Sequence, residues 1–116
     1  MADEEWPSDW LRAVLTMAVL SSLADQDSHG YAILQRLREQ GLGEIKGSTL
    51  YPLLARQQEA EVVDHRWEHE GSGPARKVFH LTDKGRAEVE TLTSRWRAFD
   101  RVVERMLQPN ESGDQR

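Results

Sequence analysis

The chain contains no cysteine, which excludes disulfides, thiolate metal sites and a cysteine nucleophile and suits a reducing, cytoplasmic setting. It also lacks a long hydrophobic run. The greasiest stretch, Trp10 to Ala24, has 11 apolar residues in 15, is interrupted by Arg12, and falls short of the roughly 20 residues needed to cross a bilayer. No membrane partner is expected. The first five residues hold three acids and no base, so neither a secretory nor a mitochondrial leader is expected there. With 116 residues, 38% of them hydrophobic, one small domain with little core to spare is expected. Chains of this size often complete their burial by pairing.

An excess of base is missing too. The net charge of −5 argues at first sight against nucleic acid, but the deficit is local. Residues 1–28 hold one base and six acids, residues 29–86 nine bases and eight acids, and residues 87–116 five bases and six acids. The acidity lies at the N-terminal end, and the middle, with all four histidines, is slightly basic. Distribution matters more than the total for binding a polyanion.

Local signals divide the chain into four helices and a hairpin, with polar tails at 1–7 and 109–116. A first helix is expected from Ser8, as N-cap, to about Ala24, with apolar residues over more than one stripe and hence two apolar neighbours. Ser28 can cap a second helix in which Gly30, Ile33, Leu34 and Leu37 fall at i, i+3, i+4, i+7, closed by Gly41 at the usual glycine position. A third helix follows, capped by Ser48 or Thr49, with Pro52 in or near its first turn and Leu50, Leu53 and Leu54 inward. The next inward position is Gln57. From Val62 to Glu70 the period changes to two, and Lys77 to Thr82 reads as a second strand of a hairpin across Gly71-Ser72-Gly73-Pro74. Thr82 can cap a last helix whose Val89, Leu92, Trp96, Phe99, Val103 and Met106 step by 3, 4, 3, 4 and 3 residues, an a/d seam.

Several chemistries have no support. No phosphate loop and no Gly-x-Ser-x-Gly elbow occur, so no cofactor and no enzymatic activity are expected. His65-Arg66-Trp67-Glu68-His69 matches the inverted zincin pattern H-x-x-E-H, and a small metalloenzyme built on it is one reading. That chemistry requires both histidines on one turn of a helix. On the strand expected here they would lie roughly 13 Å apart, too far for one ion.

Two helices feeding a third, then a hairpin, is the order of a winged helix-turn-helix, in which the third helix enters the major groove and the wing touches the neighbouring backbone. The fold class is therefore mainly α with a small β-hairpin: a DNA-binding unit at 8–86 and a dimerisation helix at 87–108. Three segments, Ser28-His29-Gly30-Tyr31-Ala32-Ile33, Ile45-Lys46-Gly47-Ser48-Thr49-Leu50-Tyr51-Pro52-Leu53-Leu54 and Arg76-Lys77-Val78-Phe79-His80-Leu81-Thr82-Asp83-Lys84-Gly85-Arg86, resemble the PadR family of bacterial transcriptional repressors. The likeness runs over about residues 10–107 and is closer to the short form with one C-terminal helix. It implies a homodimer held by the first and last helices, bound to inverted-repeat operators and released by a small molecule. Where the family pattern after the third helix reads Arg-Leu-Glu-x-x-Gly-Leu, this chain has Arg56-Gln57-Gln58-Glu59-Ala60-Glu61-Val62. Gln57 in place of a core leucine loses on the order of 1–3 kcal/mol of burial. Glu61 in a left-handed turn costs roughly 1–2 kcal/mol.

The candidate DNA-binding residues are Lys46, Ser48, Thr49, Tyr51, Arg56, Arg76 and Lys77. Ser48 and Thr49 put hydroxyls and backbone N–H groups at a helix N-terminus, which suits a phosphate. Tyr51 either meets DNA or packs under the wing, and Lys77 is either a phosphate contact or a plain strand-edge charge. Leu11, Val14, Val89, Leu92, Trp96, Phe99, Val103 and Met106 are the candidate dimerisation residues. Trp96, Phe99 and Trp10 are candidates for stacking a small planar aromatic effector, the alternative for Trp96 being interface packing. A second functional reading keeps the winged helix but gives it a protein partner and no DNA.

Overall fold

The computed structural model describes residues 5–69 and 71–109. The rest of the two expected tails, and Glu70 at the expected end of the first hairpin strand, lie outside the described residues. In chain order the elements are α1 (Ser8–Asp25), β1 (Ser28–His29), α2 (Gly30–Glu39), α3 (Gly47–Glu59), β2 (Val63–Glu68), β3 (Arg76–Leu81) and α4 (Asp83–Leu107). The fold is mainly helical with a small antiparallel sheet, as the periodicities require. The sheet has three strands in the order β1-β3-β2, where a two-stranded hairpin was expected.

The third strand comes from the turn after α1. Ser28 pairs with Phe79 and His29 with Val78, so Ser28 is a strand residue and not the helix cap. The cap is His29, whose Nδ1 accepts the Ala32 N–H at 3.3 Å. The other expected caps shift similarly. Pro7 precedes α1 and Lys46 precedes α3, neither with a side-chain cap bond, while Ser8, Ser48 and Thr49 lie inside their helices. Pro52 is the sixth residue of α3, beyond the first turn, and its missing N–H leaves the Ser48 carbonyl without its helical donor.

Both α2 and α3 end in the same hydrogen-bonded turn. Gly41 (φ +108°) closes α2, with Leu42 N–H donating to the Leu37 carbonyl and Gly41 N–H to that of Arg38, both at 3.0 Å. Glu61 (φ +65°) does the same for α3, with Val62 N–H on the Gln57 carbonyl at 3.0 Å and Glu61 N–H on that of Gln58 at 2.9 Å. The left-handed turn is kept although its glycine is not. Gln57 is half-buried and not sealed in the core.

Leu20, Leu23, Ile33, Leu50, Leu54, Val19 and Val63 are fully buried at the meeting of α1, α2, α3 and the sheet, each contributing about 1.5–3 kcal/mol of transfer free energy. The start of α4 is tied to the end of α3. The Thr82 hydroxyl donates to the Glu61 carbonyl at 2.7 Å and accepts the Gly85 N–H at 3.0 Å, and Lys84 Nζ donates to the Ala60 carbonyl at 2.9 Å. Thr82 is thus the expected cap, and with Lys84 it satisfies the two carbonyls just past the end of α3. Val89 and Leu92 then pack on this protomer's own core. These two residues of the expected dimerisation set are therefore partly buried within one protomer. From Trp96 onward the α4 seam is exposed, Phe99 by 59% and Met106 by 79%. Among the described residues no helix is long and apolar enough to cross a membrane.

Candidate nucleic-acid interface

Helix α3 buries Leu50, Leu53 and Leu54 and turns Ser48, Thr49, Tyr51, Pro52, Ala55 and Arg56 outward. The inward leucines fix the rotation of the helix, so the outward face follows from the hydrophobic period. Because Lys46 provides no side-chain cap, the first backbone N–H groups of α3 have no side-chain partner, and they open beside the exposed Ser48 and Thr49 hydroxyls. Such a helix start attracts an anion.

The expected DNA-binding residues fall on two flanks of α3. On one, Lys46, Thr49 and Arg56 join Arg12 of α1 around a cleft of about 390 Å³. On the other, Tyr51 of α3 joins Arg76 and Lys77 of β3 in a second cleft of about 390 Å³, also lined by His29, Gly30, Tyr31 and Phe79. Ser48 lies on the open face of the helix between them. Lys46, Arg56, Arg76 and Lys77 make no ion pair among the described residues. Other central bases are committed to the fold. Arg36 binds the Ser22 carbonyl, Asp25 and Gln26. Arg66 donates to Asp27 at 2.9 Å and Glu68 at 2.6 Å. The hydrogen bonds to Asp27 and then to Glu68 raise the pKa of Arg66 above the ordinary guanidinium value.

On the wing, Lys77 Nζ stands 5.5 Å from the Phe79 ring centroid and 6.0 Å from that of Trp67. Cross-strand pairing of Trp67 with Lys77 and of His65 with Phe79 puts all four on one face. His65 lies in the extended β2, its Nδ1 3.2 Å from Gln58 Oε1, so the H-x-x-E-H segment does not have its histidines on one helical turn. Sequence reasoning missed Tyr31, Trp67 and Arg12 as candidates. Tyr31 is 66% exposed just off the apolar stripe of α2, which was its only local signal.

The model of the Transcriptional regulator PadR-like family matches residues 19–91, a span holding α2, α3, the wing and the start of α4. This chain belongs to that family. Solved structures of similar architecture include a PadR-like transcriptional regulator from Bacillus cereus, 27% identical, covering 88% of this chain and 99% of that one with a TM-score of 0.80. A PadR family transcriptional regulator from Eggerthella lenta is 30% identical, covering 88% of each chain with a TM-score of 0.78. An uncharacterised protein of Lysinibacillus sphaericus is 26% identical over 103 residues, 87% of this chain and 94% of the relative. The protein is thus a PadR-like, DNA-binding transcriptional regulator.

This PadR-like regulator carries a second feature, a groove of about 500 Å³ between α1 and α4. It brings together all three expected effector contacts, Trp10, Trp96 and Phe99, with Leu11, Val14 and Val103 of the expected dimer set. The Trp96 and Phe99 rings are 6.1 Å apart at 53°. Met106 is outside the groove lining, and Val89 and Leu92 are held by the regulator's own core. Trp6, assigned from sequence to the N-terminal tail, forms part of the wall and donates its indole N–H to the Gly41 carbonyl at 2.8 Å.

Proposed function

We propose that this regulator is a cytoplasmic homodimeric repressor that reads an inverted-repeat operator and responds to a small planar aromatic molecule. The observation that carries the reading is the pairing of two unspent surfaces on one chain: a base-lined face around α3 and β3, and an apolar strip along α1 and the distal half of α4. In this reading residues 8–86 are the DNA-binding unit and residues 87–108 the pairing helix. Lys46, Arg56, Arg76 and Lys77 hold phosphates, Ser48 and Thr49 meet the backbone at the helix start, and Tyr51 reaches base edges. Trp96, Val103 and Met106 of α4, with Leu11 and Val14 of α1, face a second copy, and the aromatic groove takes the effector.

A two-fold pair would set two α3 helices roughly 34 Å apart, one turn of DNA, and so require a near-palindromic site. Retardation of the protein's own upstream DNA, titrated with salt, tests the reading. The logarithm of affinity should fall linearly with log salt at about −0.9 per phosphate contacted. The acidic isoelectric point of 5.3 favours the other reading, a winged helix that docks a protein. No retarded band at low salt is the outcome that reading requires.

A further inference from the structure

Tyr51 belongs to α3, yet its ring is housed by the first residues of two helices. A Cβ on Gly30, which opens α2, would lie 2.6 Å from Tyr51 Cζ and 2.8 Å from Cε1, and would collide with the phenolic oxygen. A Cβ on Gly47, which opens α3, would stand 3.3 Å from Cε2 on the opposite edge of the ring. Neither glycine has a positive φ. These positions therefore use the missing side chain and not backbone freedom.

Gly30 is buried, whereas Tyr51 remains 49% exposed and opens onto the cleft lined by Tyr31, Arg76 and Lys77. A long side chain on an open helix face ordinarily samples several rotamers and loses that freedom on binding. A ring seated against backbone has already lost it. We infer that Gly30 is a positioning residue for DNA recognition: its empty Cβ position seats the Tyr51 phenol in the orientation that meets DNA. The inference rests on the proposed role of Tyr51 at the operator. It adds that α2, the helix that does not itself enter the groove, sets the aim of a side chain that does.

The test uses a duplex enriched by the wild-type protein from a random pool, a scrambled duplex of equal length, and thermal melting of each variant. Gly30→Ala should remain folded and lose roughly tenfold in affinity for the enriched duplex, within the range of one specific base contact, with little change on the scrambled one. Gly47→Ala should lose less, since its Cβ would only crowd the ring. In a Tyr51→Ala background both glycine substitutions should cost no further affinity. The Gly30→Ala/Tyr51→Ala protein should melt no lower than Tyr51→Ala, because the notch is then vacant.

Unchanged affinity of Gly30→Ala beside a clear loss in Tyr51→Ala overturns the positioning role alone, whatever happens to melting. Unchanged affinity in Tyr51→Ala overturns the DNA role of Tyr51 and the inference with it. Should Gly30→Ala fail to fold, Gly47→Ala decides the matter in the same way: a loss that vanishes with Tyr51→Ala supports the seat, and a loss that persists refutes it.

Discussion

At Glu61 the backbone turns through φ +65° with a full side chain attached, a conformation that costs an L-residue about 1–2 kcal/mol. The turn persists because two hydrogen bonds to the Gln57 and Gln58 carbonyls and the Thr82 hydroxyl on the Glu61 carbonyl determine it from both sides. Glu61→Gly should relieve the strain while making the unfolded chain more flexible. A net gain of about 0.5–1 kcal/mol is expected, read as a rise of a few degrees in Tm. The proposed contacts separate by chemistry at the same scale. Lys77 offers a point charge beside the Phe79 and Trp67 rings, so Lys77→Ala should weaken all DNA alike and flatten the salt slope by roughly 0.9. Tyr51 offers a phenol and a flat ring, so Tyr51→Ala should weaken operator more than random DNA. Equal losses on both would refute a specificity role.

Helix α4 serves two purposes along its length. Its first turn lies so close to the α3–β2 turn that a Cβ on Gly85 would collide with the Val62 carbonyl oxygen. Backbone cannot yield there as a side chain could, so Gly85→Ala should cost about 1–3 kcal/mol, measured by denaturant unfolding. The distal turns carry Phe99, Val103, Met106 and Leu107 outward, a strip that the protomer does not cover. In the proposed dimer, Val103→Asp would bury a carboxylate at the seam and should give single molecules in sedimentation. Trp96→Ala should abolish fluorescence quenching by planar aromatics and leave a dimer; quenching that survives would place the effector elsewhere.

At the scale of the whole molecule, charge and shape are segregated. The net negative charge lies before residue 29, where six acids meet one base, while Lys46, Arg56, Arg76 and Lys77, in no ion pair among the described residues, stand around α3 and β3, and α4 extends a particle of 69 × 35 × 20 Å. A protein with an acidic total can thus present a basic face locally, which is what a polyanion meets within a Debye length of about 8–10 Å. Two-fold pairing would bind the spacing of the reading helices to the pitch of DNA. Inserting about five base pairs between the half-sites turns one of them to the far side of the duplex, and tight binding should vanish in a footprinting assay.

The sequence by itself determined what depends on neighbours a few residues apart: the stripes of α2 and α3, the Thr82 cap, the glycine stop at Gly41, the hairpin and the segments that carry the family likeness. Helical and strand periods repeat within a turn or two, so a single chain displays them without knowing its fold. Contacts between remote positions were decided only by the tertiary structure. Two-residue β1 is too short to show alternation and exists because Phe79 and Val78 arrive beside it. Burial of Val89 and Leu92, but not of Phe99, depends on where the core ends along α4. Trp6 joins the aromatic wall through the Gly41 carbonyl, just past the end of α2 and 35 residues away in sequence. Tyr51 was legible as a candidate, but its seat on Gly30 was not, because the missing Cβ gains its meaning only when two helix starts converge. Local propensity chooses the elements; packing chooses which of their atoms meet.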